Sequence, residues 1–244
     1  YYALVIGNDN YEGRYPTLQT AVNDATTIAD ILEDLYGFKV RRLVNAQRYQ
    51  ILSELNNLRE RLTDEDNLLI YYAGHGTIDE ANQRGHWLPV DAEPKSTANW
   101  ISNVAITDIL NAMSVRQLLV VADTCFSGTL TRSAMGQLRA GISEQKLAEV
   151  IRKMAQKRSR MVMTSGGVEP VLDSLGGKHS AFAQPFIKLL KANVGVLPGQ
   201  EMFQMLQLPV TAAAQRVRTW QAPEYAPIKH AGHEAGDFIF VRAN

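Results

Sequence analysis

Hydrophobic residues along this chain follow two patterns that alternate. Short continuous apolar runs predict buried strands, and apolar residues spaced three or four positions apart predict the helices between them. The predicted strands cover 2–6, 38–44, 68–73, 117–122, 161–164 and 238–241. The predicted helices cover 18–35, 51–62, 104–113, 182–192 and 202–217, and Gly37 ends the first of them.

The order of these elements predicts the fold class. Strands that alternate with helices and are apolar on both faces are typical of a mostly parallel sheet covered on both sides. We therefore expect an α/β domain, a three-layer sandwich with a mainly parallel central sheet and helices on both faces. Ligands of such sheets bind beyond the carboxyl ends of the strands.

Composition narrows the function classes. The chain has 244 residues with 25 basic and 25 acidic side chains, so nothing suggests a nucleic-acid-binding or membrane-surface protein. A single cysteine excludes an internal disulfide and favours a reducing compartment, so we expect a cytoplasmic location. No apolar run is long enough to span a bilayer, and no signal peptide is evident. The start at Tyr1 favours a processed product or part of a longer protein with a flanking domain.

Two motifs at predicted strand ends carry the candidate chemistry. His75 lies in YAGHG after the strand 68–73, and Cys125 lies in DTCFSG after the strand 117–122. A thiol needs a base to become a good nucleophile, and a histidine provides one. The backbone N–H groups of Gly76 and Cys125 are candidates for an oxyanion hole. The alternatives are a buried structural cysteine and a loop histidine that caps backbone, and the polar turns favour catalysis.

Three further positions are candidates for substrate binding. Asp123 precedes the cysteine by two residues and points to the same side of an extended strand, as a turn former or as a specificity residue. Asp24 lies early in the first predicted helix, where a solvated first-turn acid is the expected role from the residues alone. Ser165 follows the strand 161–164 and forms either a plain turn or a pocket wall.

The remaining histidines carry weaker signals. His230, His233 and Glu234 have a spacing that hints at a metal, but the neighbouring glycines oppose the helix that zinc motifs need, so we expect a loop and no metal site. His86 is expected to be structural. His179 follows Gly-Gly-Lys and is expected in a flexible loop.

The motifs together resemble those of the caspase-like cysteine peptidases, in the branch of metacaspases and their prokaryotic relatives, the orthocaspases. The resemblance covers nearly the whole chain, and it includes a histidine about fifty residues before the cysteine. It rests on YALVIGN (2–8), YYAGHG (71–76), DTCFSG (123–128), TSGG (164–167) and GHEAGDF (232–238). It implies a caspase-like fold and a catalytic dyad of His75 and Cys125.

The same resemblance implies a domain organisation. We expect a single catalytic domain over 1–244, with a large-subunit-like segment from 1 to about 130 that holds the dyad. An exposed loop follows over about 130–147, and a small-subunit-like segment covers about 148–244. The loop contains Arg132, Arg139 and Lys146, which are candidate self-cleavage sites, and an inert surface connection is the alternative.

Specificity also follows from the resemblance. Animal caspases carry glutamine two residues before the nucleophile and cut after aspartate, whereas this chain carries Asp123. In metacaspases the matching aspartate pairs with one in an Asn-Asp-Ala segment, which here is Asp24. Two carboxylates in one pocket select Arg or Lys before the scissile bond, and Ser165 is expected in that pocket.

These expectations make the chain a cysteine endopeptidase that acts on proteins or peptides after Arg or Lys. No cofactor is expected, and calcium dependence stays open, because metacaspases often need calcium but the chain shows no acidic calcium cluster. A flanking domain or a regulatory partner also stays open. Two other functions also remain open: a catalytically silent interaction scaffold, and a cysteine hydrolase of a non-peptide acyl substrate.

Overall fold

The computed structural model describes residues 1–12, 14–124, 144–166, 177–216 and 222–243. The strands are β1 (Tyr2–Gly7), β2 (Lys39–Val44), β3 (Asn67–Ala73), β4 (Gly76–Asp79), β5 (Arg84–Trp87), β6 (Ile101–Ser102), β7 (Gln117–Asp123), β8 (Ser159–Thr164), β9 (Val196–Pro198), β10 (Glu224–Pro227) and β11 (Ile239–Val241). The helices are α1 (Ala21–Tyr36), α2 (Arg48–Arg61), α3 (Asn103–Asn111), α4 (Glu144–Gln156), α5 (Ala183–Ala192) and α6 (Gly199–Arg216).

A six-stranded sheet forms the centre of the molecule, in the order β10-β8-β7-β3-β1-β2. The five strands from β8 to β2 are parallel, and β10 runs antiparallel to β8. The prediction of a mainly parallel sheet is therefore confirmed. The interior strands β3 and β7 are neighbours, and their carboxyl ends meet at one edge because Ala73 pairs with Asp123.

Helices cover both faces of this sheet, as predicted. Side chains of β3 alternate between the two faces, so Leu69 and Tyr71 pack with α1, α5 and α6, while Ile70 and Tyr72 pack with α2 and α3. Both faces are closed by buried apolar side chains, which explains why these strands read as continuous apolar runs. Within the described ranges, no helix is long and apolar enough to cross a membrane.

Short elements account for most of the differences from the predicted fold. The three-stranded sheet β4-β5-β6 was not predicted, and β11 pairs with β9 in a small separate sheet. The strands β4, β5, β6 and β9 have two to four residues, which is too short for a period to be read from the sequence, whereas β11 lies within the predicted strand 238–241. Helix α4 begins at Glu144, so residues 144–147 are helical and not part of the expected loop.

Candidate active site

The two sequence motifs lie at adjacent strand ends. His75 follows β3 by two residues, and β7 ends at Asp123, directly beside Ala73. Cys125 comes two residues after Asp123 and lies outside the described residues. The sheet register therefore brings the chain that leads into each motif to the same edge of the domain, where the carboxyl ends of parallel strands bind ligands.

The ring of His75 is held by groups from the loop that follows β1. Its Nε2 lies 2.7 Å from the carbonyl oxygen of Pro16. Because a carbonyl only accepts hydrogen bonds, Nε2 must carry the proton. The rings of Tyr11 and Tyr15 flank the imidazole, with centroids at 4.7 and 5.9 Å. Nδ1 is therefore the nitrogen of a neutral ring that can accept a proton.

The backbone of His75 is fixed equally well. Its N–H donates to the hydroxyl of Tyr11 at 2.7 Å, and its carbonyl accepts from the hydroxyl of Tyr72 at 2.9 Å and from the N–H of Leu88 at 3.0 Å. Gly74 allows this arrangement, because a Cβ there would lie only 2.8 Å from the Tyr11 hydroxyl oxygen. Tyr11 and Tyr72 are both fully buried, so they hold the backbone of His75 rigidly.

The register of the small sheet orients the N–H of Gly76. The N–H of Leu88 donates to the carbonyl of His75, and the next pair along is Gly76 with Trp87. Hydrogen-bonded and non-hydrogen-bonded pairs alternate in an antiparallel ladder, so Gly76 occupies a non-hydrogen-bonded position. Its N–H points away from β5, and β4 is the edge strand of that sheet. The N–H of Gly76 is therefore not used by the ladder between β4 and β5.

Asp24 and Asp123 belong to one buried cluster, although they lie on α1 and β7. Asp24 has 0% of its surface exposed, so the solvated role expected from the residues alone is wrong. The hydroxyl of Ser180 donates to Asp123 Oδ2 at 2.6 Å, and the N–H of Ser180 donates to Asp24 Oδ2 at 3.1 Å. One residue thus links the two carboxyl groups.

Burial has a large effect on Asp123. Burial, together with the charge of Asp24, raises the pKa of this carboxyl to about 7, although hydrogen bonds from Ser180, Ser165 and Tyr71 act in the opposite direction. Among the described residues, Asp123 Oδ1 is a buried oxygen without a hydrogen-bond partner. A buried carboxyl with an unsatisfied oxygen beside a second carboxyl is an arrangement that binds a cation.

Ser165 forms part of the same wall. It is fully buried at the end of β8, and its N–H donates to the carbonyl of Ala122 at 3.0 Å. Its hydroxyl lies 3.5 Å from the carbonyl of Thr124. A hydrogen bond from the Ser165 side chain to the Asp123 carboxyl also lowers the pKa of that group. Of the two roles considered for Ser165, the position beside Asp123 favours the pocket wall.

Several residues of the cluster were not found by sequence reasoning. The side chains of Tyr71 and Tyr72 lie on opposite faces of the sheet. The hydroxyl of Tyr71 lies 3.5 Å from Asp123 Oδ2, and the hydroxyl of Tyr72 donates to the carbonyl of His75. A signal existed, since a buried tyrosine hydroxyl needs a partner. His179 Nδ1 lies 2.6 Å from Asp24 Oδ1, a contact that the glycine-rich sequence before it did not indicate.

The other histidines form no metal centre in the described part of the chain, where no group of three or more His, Cys, Asp or Glu side chains could hold a metal ion. His233 Nδ1 accepts a hydrogen bond from the N–H of Arg160 at 3.1 Å, so it ties its loop to β8. His86 packs against the ring of Trp100 at 5.4 Å. His230 is exposed.

The expected self-cleavage sites fall in different places. Arg132 and Arg139 lie outside the described residues. Lys146 lies within α4, contrary to its expected position in an exposed loop. Peptidases bind their substrates in an extended conformation, so cleavage at Lys146 requires the first turn of α4 to unwind.

Comparison with known proteins identifies the family. The sequence model of the caspase domain, peptidase family C14, matches residues 1–228. The crystal structure of protein GSU0716 from Geobacter sulfurreducens superposes with a TM-score of 0.61 at 18% identity, covering 97% of this chain and 98% of that one, which shows a shared fold. No curated protein matches in sequence. The family match spans most of the 244 residues, and the chain therefore belongs to the caspase domain family of cysteine peptidases.

Proposed function

We propose that this protein is a cysteine endopeptidase that cleaves peptide bonds after Arg or Lys, with His75 as the base and Cys125 as the nucleophile. The observation that carries the proposal is the buried pair of Asp24 and Asp123 at the strand edge where both motifs begin. A caspase-family domain with an acidic pocket in this position favours a basic side chain before the scissile bond.

In this mechanism the thiol of Cys125 gives its proton to Nδ1 of His75, and the thiolate attacks the scissile carbonyl carbon. The carbonyl oxygen becomes an oxyanion that accepts hydrogen bonds from the N–H groups of Gly76 and Cys125. The imidazolium then protonates the leaving amine. Water hydrolyses the thioester with His75 again acting as the base.

The contacts around His75 suit this role. The Pro16 carbonyl accepts from Nε2–H and so stabilises the positive charge that the ring acquires when Nδ1 takes the thiol proton. Tyr11 and Tyr72 hold the backbone of His75 so that Nδ1 stays in place. Catalysis benefits because the base needs no reorganisation during the reaction.

The acidic cluster suits a guanidinium or an ammonium group. When a basic side chain enters, Asp123 loses its proton and supplies a charged oxygen, while Asp24 supplies a second carboxylate. The bound cation then replaces the proton, so the pocket avoids two unpaired buried negative charges. An acidic side chain would instead meet repulsion from the same groups.

Self-processing is part of the proposal. The stretch after Cys125 contains Arg132 and Arg139, which match the proposed specificity, and they are better candidates than Lys146 because that residue is helical. Sequencing new amino termini after incubation tests this. The Cys125→Ala protein should stay intact alone and be cut by added wild type. A wild-type protein that is fully active as one intact chain removes self-processing from the mechanism.

The dyad itself is tested by substitution. Cys125→Ala should abolish peptidase activity, and His75→Ala should lower kcat by about 10²–10⁴-fold, since the base is lost. His230→Asn replaces an exposed histidine in a turn with φ of 60° and is the matched control. Alkylation by an arginyl chloromethyl ketone should label Cys125 alone. A scaffold would show no selective labelling, and turnover by Cys125→Ala would remove the dyad assignment.

A further inference from the structure

The acidic cluster has a third participant beside its two carboxyl groups. The segment 178–180 crosses the start of α1 and is held there by hydrogen bonds, and Asn23 Nδ2 also lies 3.3 Å from His179 Nδ1. Asn23 Nδ2 donates to the carbonyl of Lys178 at 2.6 Å, while Asp24 accepts from His179 Nδ1 at 2.6 Å and from the N–H of Ser180 at 3.1 Å. Both oxygens of Asp24 are thus bound by consecutive residues of this segment.

The hydrogen bond between His179 and Asp24 has only one possible donor. An ionised carboxyl group only accepts hydrogen bonds, so Nδ1 of His179 must carry the proton. Burial, followed by the positive charges of Lys191 and Lys178, lowers the pKa of His179, which favours the neutral ring. A neutral donor orients Asp24 without cancelling its negative charge, whereas a lysine or arginine in this place would neutralise it.

The contact also distinguishes the two carboxyl groups. Asp24 accepts hydrogen bonds from two N–H donors, which favour its ionised form. Asp123 contacts hydroxyl groups of Ser180 and Tyr71, which can donate to a carboxylate or accept from a carboxylic acid. When the pocket is empty and the two groups share one proton, that proton therefore resides on Asp123.

We propose that His179 is a positioning residue for substrate specificity: it holds Asp24 in its ionised form and in one orientation, so that the pocket keeps a fixed negative charge for an incoming Arg or Lys. The inference rests on the proposed specificity for basic residues. The groups that face the pair are Lys178 beside His179, Lys191 of α5, Asp123 of β7 and Tyr71 of β3.

Binding to the inactive Cys125→Ala protein tests the inference without depending on turnover. The probe is acetyl-arginine amide, measured by calorimetry from pH 6 to 9, and acetyl-citrulline amide is its uncharged control. Adding His179→Ala should raise the Kd for the arginine probe at least about tenfold, because Asp24 loses a hydrogen bond to a charged group. The pH at which binding is half-maximal should also rise, since the two carboxyl groups then compete for the proton.

The conservative variant separates positioning from a structural role. His179→Asn should restore both the Kd and the pH profile, because its amide N–H reaches the position of Nδ1–H, whereas His179→Gln should not. This comparison also decides the matter if His179→Ala fails to fold. His230→Asn, at an exposed position, should leave binding unchanged.

Two results overturn the inference in different ways. If His179→Ala binds the arginine probe with unchanged Kd and pH profile, or His179→Asn behaves like His179→Gln, the positioning role is wrong while the basic pocket stands. If the Cys125→Ala protein does not prefer the arginine probe to the citrulline probe, both the positioning role and the proposed specificity are wrong.

Discussion

Replacing Asp123 with asparagine tests whether the candidate pocket destabilises the protein that contains it. The side chain is 4% exposed, and burial raises its pKa from the ordinary value of 3.8 to about 7. In the unfolded chain the same carboxyl group ionises freely. Asparagine keeps the shape and a hydrogen-bonding oxygen for Ser180 but cannot ionise, so it mimics the protonated form.

The direction in which stability changes with pH follows from proton binding to Asp123. Between pH 3.8 and about 7 the folded protein keeps a proton on Asp123 that the unfolded chain has lost. Stability from this group is therefore complete below the lower pKa and is lost as pH rises through the upper one. The loss is about 1.4 kcal/mol per pH unit and about 4 kcal/mol in total. Asp123→Asn should therefore gain about 3 kcal/mol over wild type between pH 5 and pH 8.

Urea unfolding at pH 5, 6, 7 and 8 measures this difference directly, and thermal melting should show a change in relative Tm on the order of 10 °C. Asp64→Asn, at an exposed turn position, controls for the replacement itself. Binding of the arginine probe should fall in the same Asp123→Asn protein, because the pocket has lost a carboxylate. A stability difference from wild type that is the same at pH 5 and pH 8 would refute the reasoning.

Three further outcomes follow from the same geometry. Gly166→Ala should destabilise the fold by about 3 kcal/mol or more in urea unfolding, because φ is +71° and a Cβ would lie 1.9 Å from the carbonyl oxygen of Ala222. Gly177→Ala is the control and should be near neutral, because the space around that position is open. Tyr72→Phe should cost about 1–3 kcal/mol of unfolding free energy and lower kcat, because its hydroxyl supports the His75 carbonyl; unchanged kcat would show that this support is not needed. For arginine peptides, kcat/KM should rise with pH through about 7, as Asp123 loses its proton, and a profile flat from pH 6 to 8 would contradict this.

The large elements of the fold could be predicted because their apolar patterns are long. The four inner strands are apolar on both faces, and their alternation with helices determines a parallel sheet. The small sheet β4-β5-β6 escaped prediction because its strands are short and polar. Yet this sheet sets the orientation of the N–H of Gly76, so the proposed oxyanion-hole donor depends on an element that the sequence pattern could not reveal.

The candidate site shows the same division. His75 could be predicted because the local motif and the strand end coincide, and the structure places it on a rigid support. Asp24 could not be assigned from its helix position alone, since a first-turn acid is usually solvated. Its burial depends on Ser180 and His179, which are more than 150 positions away in the chain, and only the folded structure brings them together.

One assay tests the central claim most directly: a fluorogenic peptide panel varied only at the residue before the scissile bond, run with wild type and Cys125→Ala, with and without calcium. We expect wild type to release fluorophore from the Arg and Lys peptides, with little from the citrulline or Asp peptides, and Cys125→Ala to release none. Calcium should leave this order unchanged. Efficient wild-type cleavage after Asp, or equal cleavage after Arg and citrulline, would contradict the account.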